Sequence, residues 1–294
     1  MAQETKIDRI VRTIEQIPTL PVISTQILRL FRDENINLRQ VEELVEKDPP
    51  LAAKILKIVN SSFYGLLNKI STIEHAIIIL GLNEIRSVAI GFAIQSHFKS
   101  HSNSFEPARF WKHSIICSQI AKYLAKYFNV VDDGTYFLSG LIHDIGKLVI
   151  DQYFQEDFKT IIQYIAKNQC TFSKAEKEIL GVTHYQIAAK LLRQWNFPEK
   201  VIMQVFYHHA PWHDKNFTTE SAILYLSNIL TKINGFTCSS EEKPISSTDV
   251  MKPSILEFLN KTGLDIDQES YKNLLVLIRE HIAAETNNVL TLFE

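Results

Sequence analysis

The sequence predicts an all-α protein, and three observations carry that prediction. From Ile7 onward apolar residues recur every three or four positions, the spacing that builds one buried stripe along a helix. No stretch alternates apolar and polar residues over more than four positions, as a half-buried strand would. Glycine and proline number only nine each, few for the many turns that strands require.

Taken in order, Ile7, Ile10, Val11 and Ile14 mark a first short amphipathic helix, which Ile17-Pro18-Thr19-Leu20-Pro21 breaks. Val22, Ile27, Leu28, Leu30 and Phe31 resume a helix. Asn37, with Gln40 three residues on, reads as a capping box opening the helix of Val41, Leu44 and Val45. Asp48-Pro49 is a restart, an acidic N-cap followed by proline at the first helical position, where no N–H is needed. That helix carries Leu51, Ile55, Leu56 and Val59 and ends near Asn60. Ser71 and Glu74 form a second capping box ahead of Ala76-Ile77-Ile78-Ile79-Leu80, and Gly81 ends the run. A helix over about 83–98 closes this first part, and the polar stretch 100–107 reads as a linker.

Beyond it, Trp111, Ile116, Cys117, Ile120 and Leu124 share one helix face. Asp132-Asp133-Gly134 is a turn, followed by the helix holding His143-Asp144. Further helices are predicted over about 156–167, 183–195 and 221–233, and one is opened by Pro198-Glu199. The segment 237–248, rich in Ser, Glu, Lys and Thr, reads as a flexible loop. Tyr271, Leu274, Leu275, Ile278 and Ile282 then line a final helix. The organisation expected is an N-terminal helical subdomain over 1–99, a helical core over 105–234, and a loop with a C-terminal helical extension over 235–294.

With 294 residues, 46% hydrophobic and 22% charged, the chain has the balance of a globular protein with a substantial core. A formal net charge of -2 creates no global field for nucleic acid or an anionic membrane, and no basic stripe with interleaved aromatics appears. Neither nucleic acid nor membrane is an expected partner. Cys117, Cys170 and Cys238 stand far apart without a CxxC pair, which suits a reducing compartment and argues against a disulfide framework or a zinc ribbon. The first residues lack the basic-then-apolar pattern of a signal peptide. The longest apolar stretches, 76–82 and 274–278, fall short of the roughly 20 residues a membrane span needs. A cytoplasmic location is expected.

The chemistry centres on Leu141-Ile142-His143-Asp144-Ile145-Gly146-Lys147-Leu148-Val149-Ile150. Burying an imidazole beside a carboxylate costs several kcal/mol unless each finds a partner. Either a metal bridges them to other polar side chains, or a hydrogen-bond network satisfies them. His113 shares its helix face with Ile116, Cys117, Ile120 and Leu124; His184 does the same with Ile187, Ala188, Leu191 and Trp195. His208 and His209 fall where a helix ends, and Asn228 flanks the stripe of Ile223, Leu226, Leu230 and Ile233. His113, His143, Asp144, His184, His208 or His209, and Asn228 can all face one interior. A lone histidine on an apolar face is usually a hydrogen-bonded core residue, but five with a carboxylate suit Mn, Fe, Zn or Mg. A divalent ion is therefore the candidate cofactor. Against it, Asp144 is the one anionic ligand on offer, whereas hydrolytic divalent sites rely on more negative charge. The three cysteines read as packing residues, and His75, His97, His101, His213 and His281 lie off this interior.

A helix histidine, a His-Asp step and a polar residue on a late helix are the layout of the HD-domain metal phosphohydrolases. The chain more closely resembles the HDOD branch, the HD-related output domains of bacterial signalling proteins, over about 17–233. The resemblance is carried by Ile17-Pro18-Thr19-Leu20-Pro21, Asp48-Pro49-Pro50-Leu51-Ala52-Ala53-Lys54-Ile55-Leu56, Val59-Asn60-Ser61-Ser62-Phe63-Tyr64-Gly65 and Ala76-Ile77-Ile78-Ile79-Leu80-Gly81. Phe110-Trp111-Lys112-His113-Ser114, Gly140-Leu141-Ile142-His143-Asp144-Ile145-Gly146-Lys147 and Tyr207-His208-His209 complete it. It implies an N-terminal helical subdomain on an HD-like helical core, and a role in signal transduction, usually without demonstrated catalysis.

The related cyclic-di-GMP phosphodiesterases of the HD-GYP type share the His-Asp-Ile-Gly-Lys run, but here His208-His209 leads into Ala210-Pro211-Trp212, so their signature is absent. Asn228 aligns with the late aspartate of HD enzymes. The expectation is a non-catalytic regulatory module that binds a signalling protein or small ligand. The alternative is a metal-dependent phosphohydrolase or phosphodiesterase acting on a nucleotide or cyclic dinucleotide. There His113, His143, Asp144, His184 and His208 or His209 would hold one or two ions, and Lys147 would steady a substrate phosphate.

Overall fold

The computed structural model describes residues 6–18, 20, 22–30, 38–60, 66, 68–98, 106–242, 245–246 and 252–289. Among these residues the regular structure is helical throughout, with no strand. Asn37, Phe63-Tyr64 and most of the expected linker lie outside the described residues.

Six helices come first: α1 (Lys6–Gln16), α2 (Val22–Leu30), α3 (Leu38–Glu46), α4 (Pro49–Val59), α5 (Ile73–Leu80) and α6 (Leu82–His97). Asp48 caps α4 as its sequence suggests, its Oδ1 accepting the Leu51 N–H at 3.1 Å. The cap of α5 is one residue later than expected. Thr72, not Ser71, accepts the His75 N–H at 3.2 Å, and Gly81 ends the helix at φ +87°. Asn60 ties the end of α4 to the approach of α5, accepting the Ile70 N–H and donating to the Ile70 carbonyl, both at 2.7 Å.

The second group is α7 (Pro107–Tyr127), α8 (Thr135–Ile142), α9 (Ile145–Tyr153), α10 (Gln155–Asn168), α11 (Phe172–Leu180), α12 (His184–Gln194), α13 (Glu199–Tyr207) and α14 (Thr218–Ile233), with a 3-10 turn at Pro211–His213. α7 is the axis of this group, packed along α8 and α14. The Asp132-Asp133-Gly134 turn before α8 forms as read: Asp132 Oδ1 accepts the Gly134 N–H at 2.8 Å, and Gly134 takes φ +86°. Two more helices follow, α15 (Pro253–Lys261) and α16 (Gln268–Val289).

One buried apolar cluster runs from Ile10 in α1 to Val205 in α13, joining the first helices to the second group. The α1 end is also tied by polar contacts, the Trp195 indole N–H donating to the Pro18 carbonyl at 3.2 Å. A second cluster lies between α7, α14, α15 and α16, with Leu124, Leu226, Leu230, Leu259, Leu274 and Ile278 at its centre. Each such side chain, buried, contributes about 1.5–3 kcal/mol. No described helix is long and apolar enough to cross a membrane.

Four readings of the sequence need correction. His143-Asp144 does not sit within a helix; it is the step between α8 and α9, with Asp144 at φ -99°, ψ 8°. The His143 ring bonds the Gly140 carbonyl at 2.8 Å, competing with the helix's own ladder at that point. α11 and α15 are additional helices that the sequence reading passed over, although Phe172, Ala175, Ile179 and Leu180 of α11 fall at helical spacing. Their signals are local, Thr171 accepting the Lys174 N–H at 3.3 Å and Pro253 in the first turn of α15. Finally, the supposed flexible loop is anchored inward at Thr237, Cys238, Ser239 and Glu242, which are all buried, while Ser240 and Glu241 between them are exposed. A hydrophilic composition there reflects a buried ion pair, Lys232 with Glu242, rather than a solvated chain.

Candidate metal centre

The site gathers where α7, α12 and the ends of α8 and α13 meet. Two glycines permit the approach. A Cβ at Gly140 would fall on the backbone of Ser118 in α7, and one at Gly146 on the His184 carbonyl. Without side chains at these positions α8 lies directly on α7 and α9 directly on α12. His113, His143 and His184 are thereby drawn around Asp144.

The distances confirm the convergence. Asp144 Oδ2 lies 3.3 Å from His143 Nε2 and 3.7 Å from His113 Nε2. Its other oxygen, Oδ1, lies 3.1 Å from His184 Nε2 and 3.6 Å from His208 Nε2. His113 and His143 present their Nε2 atoms to each other at 3.3 Å, as His184 and His209 do at 3.2 Å. Two sets of ligand atoms result, His113–His143–Asp144 and Asp144–His184–His208–His209, each within 4.8 Å. Asp144 belongs to both.

The opposite ring nitrogens define the tautomers. Nδ1 of His113 lies 2.7 Å from the Phe236 carbonyl, that of His143 2.8 Å from Gly140, and that of His208 2.6 Å from Val205. His184 Nδ1 lies 2.7 Å from Glu176 Oε2. Carbonyls and carboxylates only accept, so each of these Nδ1 atoms carries a hydrogen and each Nε2 faces inward. Burial pushes His113 down to about 3 and His208 and His209 well below the usual imidazole range, so these rings are neutral at pH 7. Burial also pulls on His184, but Glu176 and Asp144 on either side raise it. His113 and His208 therefore aim Nε2 lone pairs inward. Asp144 Oδ1 and His208 Nε2, both buried, have no hydrogen-bond partner among the described residues.

A divalent cation fits this donor set. Ligand bonds of about 2.0–2.1 Å around a tetrahedral ion place neighbouring donors roughly 3.3–3.4 Å apart, and the spacings from the Asp144 oxygens to His113, His143, His184 and His208 run from 3.1 to 3.7 Å. Nδ1–H bonds to carbonyls and to a carboxylate are the supports that orient metal-bound imidazoles.

Positive charge is also supplied by the protein. Lys147, 1% exposed, reaches Asp144 Oδ2 at 2.7 Å and lies 4.5 Å over the Phe172 ring. Burial would raise the Asp144 carboxyl, but His143, Lys147 and His184 hold it well below the usual carboxylate range. Burial opposes the Lys147 charge in turn, and Asp144 restores it. Asn228 is buried on α14 with its Oδ1 unpartnered among the described residues.

Two functional residues escaped the sequence reading. Glu176, fully buried, holds His184; it lies on the unanticipated α11. Cys238, also fully buried, donates its thiol to Asp144 Oδ2 at 3.0 Å. No spacing rule links residue 238 to 144, although the cap at Thr171 could have exposed α11.

A family model for the HDOD domain matches residues 17–211. A protein of Treponema pallidum (strain Nichols) is 27% identical over 203 residues, which are 67% of this chain and 38% of that relative, so the chain spans well under half of it. Among solved structures, an HDOD domain protein of Geobacter sulfurreducens superposes with a TM-score of 0.78 at 21% identity, covering 93% of this chain and 96% of that one. A candidate signal transduction protein of Marinobacter aquaeolei VT8 gives 0.76 at 23% identity, covering 100% of this chain and 62% of the other. At such identities the structures speak for the fold, an all-α one. With the family model matched over most of its length and the fold in agreement, the chain belongs to the HDOD domain family.

Proposed function

We propose that the chain is a signalling module that holds a divalent cation in its His/Asp cluster and acts by binding a partner protein or small ligand, without turnover. The observation behind this reading is closure. His113, His143, Asp144, His184 and His208 are each at most 1% exposed, and 236–238 lies across them. Structural metal sites are closed, whereas catalytic ones keep a position open for water or substrate. His113, His143 and Asp144 would hold the ion on one side and Asp144, His184, His208 and His209 on the other. When bound, the ion supplies the positive charge that converging lone pairs lack. Lys147 keeps the Asp144 carboxylate oriented, and the Nδ1–H bonds keep the rings from turning away.

The test is metal content together with turnover. Protein purified without chelator or affinity metal should retain a divalent ion, yet leave cyclic-di-GMP and a generic phosphodiester intact with Mn, Fe or Zn. Metal-dependent turnover that His143→Ala abolishes would overturn the non-catalytic reading.

One observation favours hydrolysis as a second reading. A cleft of about 320 Å³ opens beside His113, lined by Arg109, Lys112 and Phe236. Its size is at the lower end for small-molecule pockets, and Lys112 suits a phosphate, while Arg109 is paired with Glu106 at 3.4 Å on the same wall.

A further inference from the structure

The cleft beside His113 lies where the start of α7 meets the turn that follows α14. Ala108, Arg109 and Lys112 form one wall, and the 235–237 turn with the Phe236 ring forms the other. Lys112 Nζ lies 4.9 Å over the Phe236 ring and makes no ion pair among the described residues. A cation held over a ring gains less than one hydrogen-bonded to an anionic oxygen. One turn earlier on the same face, Arg109 Nε lies 3.4 Å from Glu106 Oε1, a part-exposed ion pair without a hydrogen bond. The lining therefore carries two cations against one carboxylate, and the positive end of the α7 dipole points the same way. Beside these charges stand two apolar surfaces, Ala108 and the half-buried Phe236 ring.

His113 divides this cleft from the His/Asp cluster. Its ring is fully buried, with Nδ1 2.7 Å from the Phe236 carbonyl on one side and Nε2 3.3 Å from His143 Nε2 on the other. A molecule in the cleft thus meets the cluster only through the His113 ring and the 235–237 turn.

We propose that this cleft binds a small phosphate monoester, with the phosphate on Lys112 beside Arg109 and an apolar or planar body against Phe236 and Ala108. This gives the small ligand of the reading above a place and a chemistry, and it rests on the ligand-binding half of that reading, not on the ion. Bare phosphate would leave Phe236 and Ala108 unused, and a volume of about 320 Å³ is at the lower end for ligand sites, which favours a small body over a large one. A bound ligand would fix the 235–237 turn, and with it the carbonyl that orients His113. Occupancy of the cleft is in this way felt at the cluster without the ligand entering it.

Titration calorimetry on the metal-free full-length chain provides the test, with phenyl phosphate, inorganic phosphate and phenol as probes. Phenyl phosphate should bind about 10-fold more tightly than inorganic phosphate, the gain expected from burying part of its ring, and phenol should give no heat of binding. Lys112→Met should weaken phenyl phosphate by about 10–100-fold, the range for one charge-assisted hydrogen bond. Lys126→Met, which removes the same charge from an exposed position at the far end of α7, should leave binding unchanged. Phe236→Leu should weaken phenyl phosphate by about 3–10-fold, the share of an aromatic contact, and inorganic phosphate hardly at all. Competition with AMP and with glycerol 3-phosphate then separates a nucleotide from a smaller phosphorylated metabolite, and displacement by either supports the site. No binding of phenyl phosphate, equal binding of inorganic phosphate, or full affinity in Lys112→Met overturns it. Each of these leaves the metal reading standing, and protein that retains no ion leaves this site standing.

Discussion

Glu176 and His184 are joined twice through one oxygen: Glu176 Oε2 lies 2.7 Å from His184 Nδ1 and 2.9 Å from the His184 backbone N–H. A single carboxylate thus orients the ring and satisfies a free amide in the first turn of α12, where negative charge is also favoured by the helix dipole. Removing the charge while keeping the shape isolates this role. Glu176→Gln should weaken zinc binding by about 10–100-fold, the usual effect of losing an outer carboxylate partner. Competition against a colorimetric chelator measures it, and a change under twofold would mean that His184 is not a ligand.

Lys232 and Glu242 form an ion pair buried on both sides, with side chains 8% and 7% exposed. Lys232→Met would leave a carboxylate inside the protein without its partner and should cost about 3–5 kcal/mol. Urea unfolding followed by circular dichroism reads this directly. A loss below about 1 kcal/mol, the scale of an exposed pair, would show that the 235–242 segment is not fixed inward.

Two glycines should respond to alanine for different reasons. At Gly146 the new methyl would collide with the His184 carbonyl, and forced overpacking of this kind costs about 1–3 kcal/mol or more. At Gly81 there is open space, but φ is +87° and ψ 156°, a region nearly exclusive to glycine with a strain of about 1–3 kcal/mol. Both variants should lose stability, but Gly146→Ala alone should also lower metal content, because it displaces α12 and His184. Equal metal content in the two would separate Gly146 from the centre.

Chelation should destabilise the protein through mass action. At free ion about 1,000-fold above its Kd, binding adds about 4 kcal/mol of stability, which EDTA removes. The Tm of wild type should fall on adding EDTA, and that of His143→Ala should already be low and unresponsive. Identical shifts in both proteins would place the ion elsewhere.

The convergence of His113, His143, Asp144, His184, His208 and His209 was legible in the sequence because each sits on, or at the end of, a stripe with helical spacing. Helical period determines a face, and buried faces meet. What was not legible depends on contacts with no period. Glu176 reaches His184 across the turn at Gly181, and no helical period relates the two positions. Cys238 belongs to a stretch whose Ser, Glu and Lys content suggests solvent, yet Lys232 and Glu242 neutralise each other and draw it inside. The step at His143-Asp144 was hidden by the unbroken apolar run around it, since burial on every side looks the same for one helix as for two.

The close seats at Gly140 and Gly146 bracket that step. One clamps α8 to α7 and the other clamps α9 to α12, so His143 and Asp144 work like a pin held at both ends. Neither helix pair can slide without driving backbone into backbone. The strap at 235–242 is anchored differently, by the Phe236 N–H on the Thr231 carbonyl, by the His113 ring on the Phe236 carbonyl and by Glu242 on Lys232, so it is tied to α14 and α7 and not to the pin.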